Sequence, residues 1–148
     1  MKIIKPRENS LNEAERKFIE FVDAMHNWEV KSFSSINIAL KSGENASTAR
    51  NEAKNELSLI FDRYLEPRSG DRRRLVDANV GFPCDYDANR DTIFMAENDG
   101  KKAVFLYQQK VGSKSKLRFT LKLISGTWFV HKAEIFFEYK NKWDKFVI

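Results

Sequence analysis

Few residues in this 148-residue chain have the means to carry chemistry: two histidines, one cysteine and one closely spaced carboxylate pair. His26 and His131 are the candidates for proton transfer or metal ligation, but no second His or Cys stands at ligand spacing around either. Structural zinc sites draw their donors from short, regular spacings. The sequence therefore speaks against zinc, and reads both imidazoles as locally hydrogen-bonded side chains, one near a helix end and one on a strand. Cys84 follows Pro83 and has no His near it in sequence. It reads as an ordinary, partly buried thiol, because a nucleophilic cysteine needs electropositive surroundings. Asp85 and Asp87 flank Tyr86. As an acid–base pair they would need a pocket that raises one pKa; lying two residues apart after a proline, they read first as turn residues bonding their own backbone. There is no glycine-rich dinucleotide fingerprint, phosphate loop or serine nucleophile elbow. The chain names no reaction and calls for no cofactor, which leaves recognition as the expectation.

The residues suited to recognition are basic and aromatic. Arg72, Arg73 and Arg74 stand together in a long connection, as a solvated loop or as contacts to phosphate or an acidic partner. Residues 101–148 hold eleven Lys and Arg against three Asp and Glu, so the positive excess of the whole chain, +5, lies in its last third. Such charge permits anion binding without demonstrating it. Near the C-terminus Trp128, Val130 and Phe136 alternate with Lys132, Glu134 and Glu138. If the two-residue period holds, they form an apolar patch framed by Arg118, Lys122 and Lys132; a bulge would turn part of it inward. A patch of this kind marks a protein interface, with a foreign partner or in a homodimer, more readily than an active site. Phe82 and Tyr86 add aromatic anchors on the connection. Glu134 and Glu138 on the same face argue against nucleic acid.

These residues must be positioned by helices first and strands later. Residues 9–28 carry Leu11, Ala14, Phe18, Phe21, Val22, Met25 and Trp28 at helical spacing, opened by a capping box at Ser10 and Glu13. A second, shorter helix is expected over 30–41, ended by Ser42-Gly43, and a third over 47–65, stopped by Pro67. The connection 66–90 is long enough to be functional or to hide short elements; residues 75–80 are expected as a short strand. Strands follow over 92–97, 103–109, 116–124 and 127–139, with Asn98-Asp99-Gly100 and Ser125-Gly126 as turns. On the last of them Phe129, Ala133, Ile135, Phe137 and Tyr139 are expected to share the inner face. The fold class is α+β: three N-terminal helices packed on a curved antiparallel sheet of four or more strands. The length suits a single domain over residues 1–148 with one core. The start has no apolar run long enough for a signal peptide, and no stretch approaches the ~18 apolar residues of a membrane span. A cytoplasmic location with no membrane contact follows as the expectation.

With that order in place the chain resembles the nuclear-transport-factor-2-like cone fold over nearly its whole length. Four segments carry the likeness: Asn27-Trp28-Glu29 in the opening helical region, Ile60-Phe61-Asp62-Arg63-Tyr64 closing the third helix, Gly81 to Asp87 before the first long strand, and the hairpin from Arg118-Phe119 to Ser125-Gly126-Thr127-Trp128. Together they look like the immunity proteins of bacterial polymorphic toxin systems that adopt this fold. The resemblance implies a non-enzymatic protein that binds and blocks a cognate toxin domain. It carries over no residue-level site, so Arg72, Arg73, Arg74, Phe82, Tyr86, Arg118, Lys122, Trp128 and Lys132 are the contact candidates on exposure, charge and aromaticity. In enzymatic relatives an Asp or His in the mouth of the cone transfers protons. A small-molecule binder or enzyme with His131 as base, aided by Asp85 or Asp87, is the alternative, and it requires a sizeable interior pocket.

Overall fold

A computed structural model describes residues 1–68 and 70–148. Helix α1 spans Glu13–Lys41 without a break. Its cap lies two residues beyond the expected one: the Asn12 side chain accepts from the Glu15 N–H at 2.9 Å, and the Glu15 carboxylate accepts from the Asn12 N–H at 3.0 Å. The two helices expected over 9–28 and 30–41 are therefore one. Asn27 to Lys31 contains neither Gly nor Pro, so nothing interrupts the backbone ladder. Helix α2, Ser47–Tyr64, lays Ala53, Leu57, Phe61 and Tyr64 into the core. The Trp28 indole fastens the two helices by donating to the Ala53 carbonyl at 2.7 Å.

The connection holds a 3-10 turn at Arg73–Val76 in place of the strand expected over 75–80. Its backbone bonds locally instead, Leu75 N–H to the Arg72 carbonyl and Ala78 N–H to the Arg74 carbonyl.

Among the described residues six strands, the four expected and two more, form one antiparallel meander in the order of the chain. They are β1 (Lys2–Ile4), β2 (Thr92–Asn98), β3 (Lys102–Gln108), β4 (Lys116–Ile124), β5 (Thr127–Phe137) and β6 (Lys142–Lys145). The four expected strands are β2 to β5. β1 adds an edge beside β2, with Ile4 opposite Ile93. The expected long last strand stops at Phe137, and Asn141, in the left-handed region at φ 49°, turns the chain back into β6. Tyr139 is consequently exposed rather than on the inner face.

The helices cover the face of the sheet that carries Ala103, Phe105, Tyr107, Leu117, Phe119 and Leu121, all fully buried. Between the layers lies an aromatic core. Phe18 stacks on Phe105 at 4.6 Å, and Phe119 stands 5.1 Å from Phe18 and 6.2 Å from each of Phe21, Tyr86 and Tyr107. The interior is filled by side chains.

One irregularity decides what the sheet shows to the outside. Thr120 pairs with Lys132 but Leu121 pairs with Val130, so His131 is an extra residue in β5. Such a bulge reverses the alternation of the strand. Before it Trp128 and Val130 point into the core; after it Ala133 does. Phe129, expected inside, lies only half-buried on the other side, beside Lys122. Phe136 remains outside, as expected.

Candidate functional site

On the outer face of the sheet the registers align one row across five strands: Phe94, Leu106, Arg118, Glu134 and Lys145. Arg118 is fixed at the middle of it. Its Nε and Nη2 each donate at 2.9 Å to the two oxygens of Glu134, and its guanidinium lies 4.2 Å from the Trp143 ring. Bidentate pairing of this kind is directional as well as favourable. Lys116 stands over Phe136 and Trp143 at 5.7 and 5.9 Å. The face thus presents cations held against aromatic rings.

Two adjoining grooves open here, of about 460 Å³ and 390 Å³. They share His131, Lys132 and Glu134. The first takes in Asp71, Arg73 and Lys145, the second Glu97, Lys102, Arg118, Thr120 and Lys122. Six Lys and Arg therefore face three carboxylates. Of the expected contact residues, the fold brings Arg73 from the connection together with Arg118, Lys122 and Lys132 from the sheet. His131 lies between the grooves, paired through Nδ1 with Glu66.

The Arg118 guanidinium holds the Glu134 carboxyl below its ordinary pKa. A carboxylate with a lowered folded-state pKa contributes stability above its unfolded value, and that contribution is lost as pH falls through the folded value. For this partly exposed pair the contribution is about 1 kcal/mol or less. Glu134→Gln should be less stable than the parent chain by that amount near neutral pH. The gap should begin to narrow as pH falls below the ordinary Glu pKa of about 4.3 and close once the folded carboxyl is protonated; urea unfolding of both chains into acid checks it.

The model of the NTF2 fold immunity protein family matches residues 13–147. The chain belongs to that family. The immunity protein RhsIA of Dickeya dadantii (strain 3937) is 29% identical to it over 136 residues, which cover 92% of this chain and 96% of that protein. No solved structure matches the chain.

Other expected contact residues lie elsewhere in this NTF2-fold immunity protein. Tyr86 is fully buried, at the edge of the aromatic core against Phe21, and burial pushes its hydroxyl far above the ordinary tyrosine pKa. Trp128 is buried by the bulge. Neither is available to a partner. Arg74 is turned inward: its guanidinium lies 5.0 Å from the Trp28 ring and meets the buried Glu29 carboxylate at 3.2 Å. Arg72 leans back on α2, donating to the Phe61 carbonyl at 3.3 Å. Of the three consecutive arginines only Arg73 is exposed.

Phe82 is 85% exposed, in a different place. With Val30, Phe33, Pro83 and Val111 it walls an apolar groove of about 580 Å³, the Phe33 and Phe82 rings 6.2 Å apart. His26, Cys84 and Asp87 lie at its polar end. Offering one donor atom each, the three come within 4.8 Å of one another. No second His or Cys stands at ligand spacing around His26 in the sequence; the fold brings Cys84 and Asp87 beside it. Burial raises the Cys84 thiol above its usual pKa, and Glu29 adds to the effect, so the free group is a thiol rather than an activated nucleophile. Asp85 lies outside this cluster and pairs with Arg74 at 3.5 Å.

Proposed function

We propose that this chain neutralises a cognate toxin domain by binding it, without catalysis of its own, and that the outer face of the sheet is the contact surface. The observation that carries the surface is the convergence of Arg73, Arg118, Lys122 and Lys132 on two adjoining grooves. Membership of the immunity family supports the role, as does the likeness to RhsIA. The excess of cations selects an acidic patch on the toxin. Complementary charge accelerates encounter, and a few aromatic or Arg anchors supply most of the affinity. Arg118 and Trp143 are the anchors here, with Phe136 beside them. A second copy of the chain on the same face would bring like charges together, which disfavours a homodimer there. A nucleic acid would have to accept Asp71, Glu97 and Glu134 inside its footprint.

A non-enzymatic role is supported by the family membership and by the aromatic rings packed between the helices and the sheet. Among the described residues no helix is long and apolar enough to cross a membrane. The proposed setting is the cytoplasm, with the chain acting as one domain.

Co-expression with the toxic domain encoded by the neighbouring gene tests the reading. Survival together with a co-purifying complex is the expected result; death of the cells with no complex formed rejects it. The surface is tested separately with the double variant Lys122→Glu/Lys132→Glu. It should slow association about tenfold or more at low salt, with a smaller difference at high salt. Unchanged stopped-flow rates would move the contact away from this face.

A further inference from the structure

The geometry points to a binding site for one zinc-class divalent cation at the base of the Phe82 loop, with His26 Nδ1, Cys84 Sγ and an Asp87 carboxylate oxygen as ligands and the Tyr86 carbonyl beside them. In the metal-free chain Nδ1–H donates to the Tyr86 carbonyl at 2.8 Å and Sγ–H to the same oxygen at 3.5 Å, with Nδ1 3.4 Å from Sγ; ligation exchanges both protons for the ion and moves the imidazole proton to Nε2. In tetrahedral zinc sites with Zn–S of about 2.3 Å and Zn–N of about 2.0–2.1 Å, the nitrogen-to-sulfur edge is roughly 3.5 Å. The Nδ1–Sγ edge already has the length a bound ion would impose, and the Asp87 carboxylate lies within 4.8 Å of both. A thiolate and an imidazole with one carboxylate is a borderline-soft set, which suits zinc over calcium or magnesium.

Each donor is held by its own support. His26 sits inside the long helix α1. The loop is fastened from behind by Glu29, whose two carboxylate oxygens accept from the Asp85 and Tyr86 N–H groups at 3.0 Å each. Asp87 is fixed at three atoms: its N–H donates to the Tyr107 hydroxyl at 2.7 Å, its Oδ1 accepts from the Asn89 and Arg90 N–H groups, and its carbonyl accepts from the Arg90 and Asp91 N–H groups. The His26 ring also lines a second groove together with Asp23, Asn27 and Asn89. Val30, Phe33 and Phe82 give the remaining side an apolar wall. Bound there, the ion would tie the loop carrying Phe82 to α1.

The untagged chain, stripped with a chelator, should take up one equivalent of Zn2+ in competition with a chromophoric chelator. Co2+ should give the near-ultraviolet charge-transfer absorption of a thiolate ligand. Cys84→Ser and His26→Gln should each weaken uptake at least about tenfold with unchanged far-ultraviolet circular dichroism. Cys84 is the single cysteine, so alkylation reads this site alone, and Zn2+ should slow it in the parent chain by tenfold or more. If the variants fail to fold, the parent chain decides through that rate and the cobalt spectrum. No uptake, uptake without the thiolate band, or uptake that survives both substitutions overturns the proposal.

Discussion

Phe119→Ala is expected to lower the unfolding free energy by about 3–5 kcal/mol, the range for removing a large aromatic side chain from a close-packed interior. Phe119 is fully buried, and four rings from three different parts of the chain surround it: Phe18 and Phe21 of α1, Tyr86 of the connection and Tyr107 of β3. No single neighbour can fill the space, because each is fixed by its own element. A domain with ordinary stability of about 5–15 kcal/mol would be left close to its unfolding threshold. Urea denaturation gives the measurement, with Phe94→Ala on the outer row as the control, expected to cost far less. A loss for Phe119→Ala no larger than the control's would mean that the space between helices and sheet is not packed as described.

Glu29→Ala should cost a comparable amount, about 3–5 kcal/mol, for an electrostatic reason. The side chain is 1% exposed in the middle of α1 and accepts from two loop N–H groups and from Arg74. Burial raises its pKa against the opposing pull of Arg74. With alanine there, two backbone donors lose their acceptor and a largely buried guanidinium keeps only the Trp28 ring and the Asn79 and Asp85 oxygens. Unsatisfied buried donors are expensive. Glu29→Gln retains a carbonyl for one loop N–H and should lose roughly half as much. Hydrogen exchange would add a second reading: protection should fall first at Asp85 and Tyr86, ahead of α1. If Ala and Gln behave alike, the carboxylate is not what holds the loop.

How much of this was legible in the sequence depended on range. The apolar stripe from Leu11 to Trp28 and the clean alternation of residues 116–124 are local signals: the strand formed where expected, and the helix formed but begins at Glu13 and runs on to Lys41. The division of α1 was misplaced because Glu29 looks like a polar end to an apolar stripe. It is buried only because residues more than fifty positions away bring their N–H groups to it. β1 is three residues long and owes its existence to pairing with β2, which no window at the N-terminus contains. The bulge at His131 leaves no mark in the alternation of β5 itself, yet it exchanges Trp128 for Phe129 on the outer face. On the site, Arg73, Arg118, Lys122 and Lys132 were recognisable by charge and exposure, whereas Tyr86 and Trp128 were drawn in by the same aromatic character that buries them. The His26, Cys84 and Asp87 cluster had no sequence signal, since its members are brought together by tertiary folding alone.

The two outermost strands of the meander have a bearing on how the protein behaves when crowded. β1 offers three residues and β6 four, and they carry Lys2, Lys142 and Lys145. Short, cationic rims are poor templates for another strand. Copies meeting rim to rim would repel before their backbones paired, so the sheet resists growing into a fibril-like array. The same property disfavours capture of a partner by strand addition.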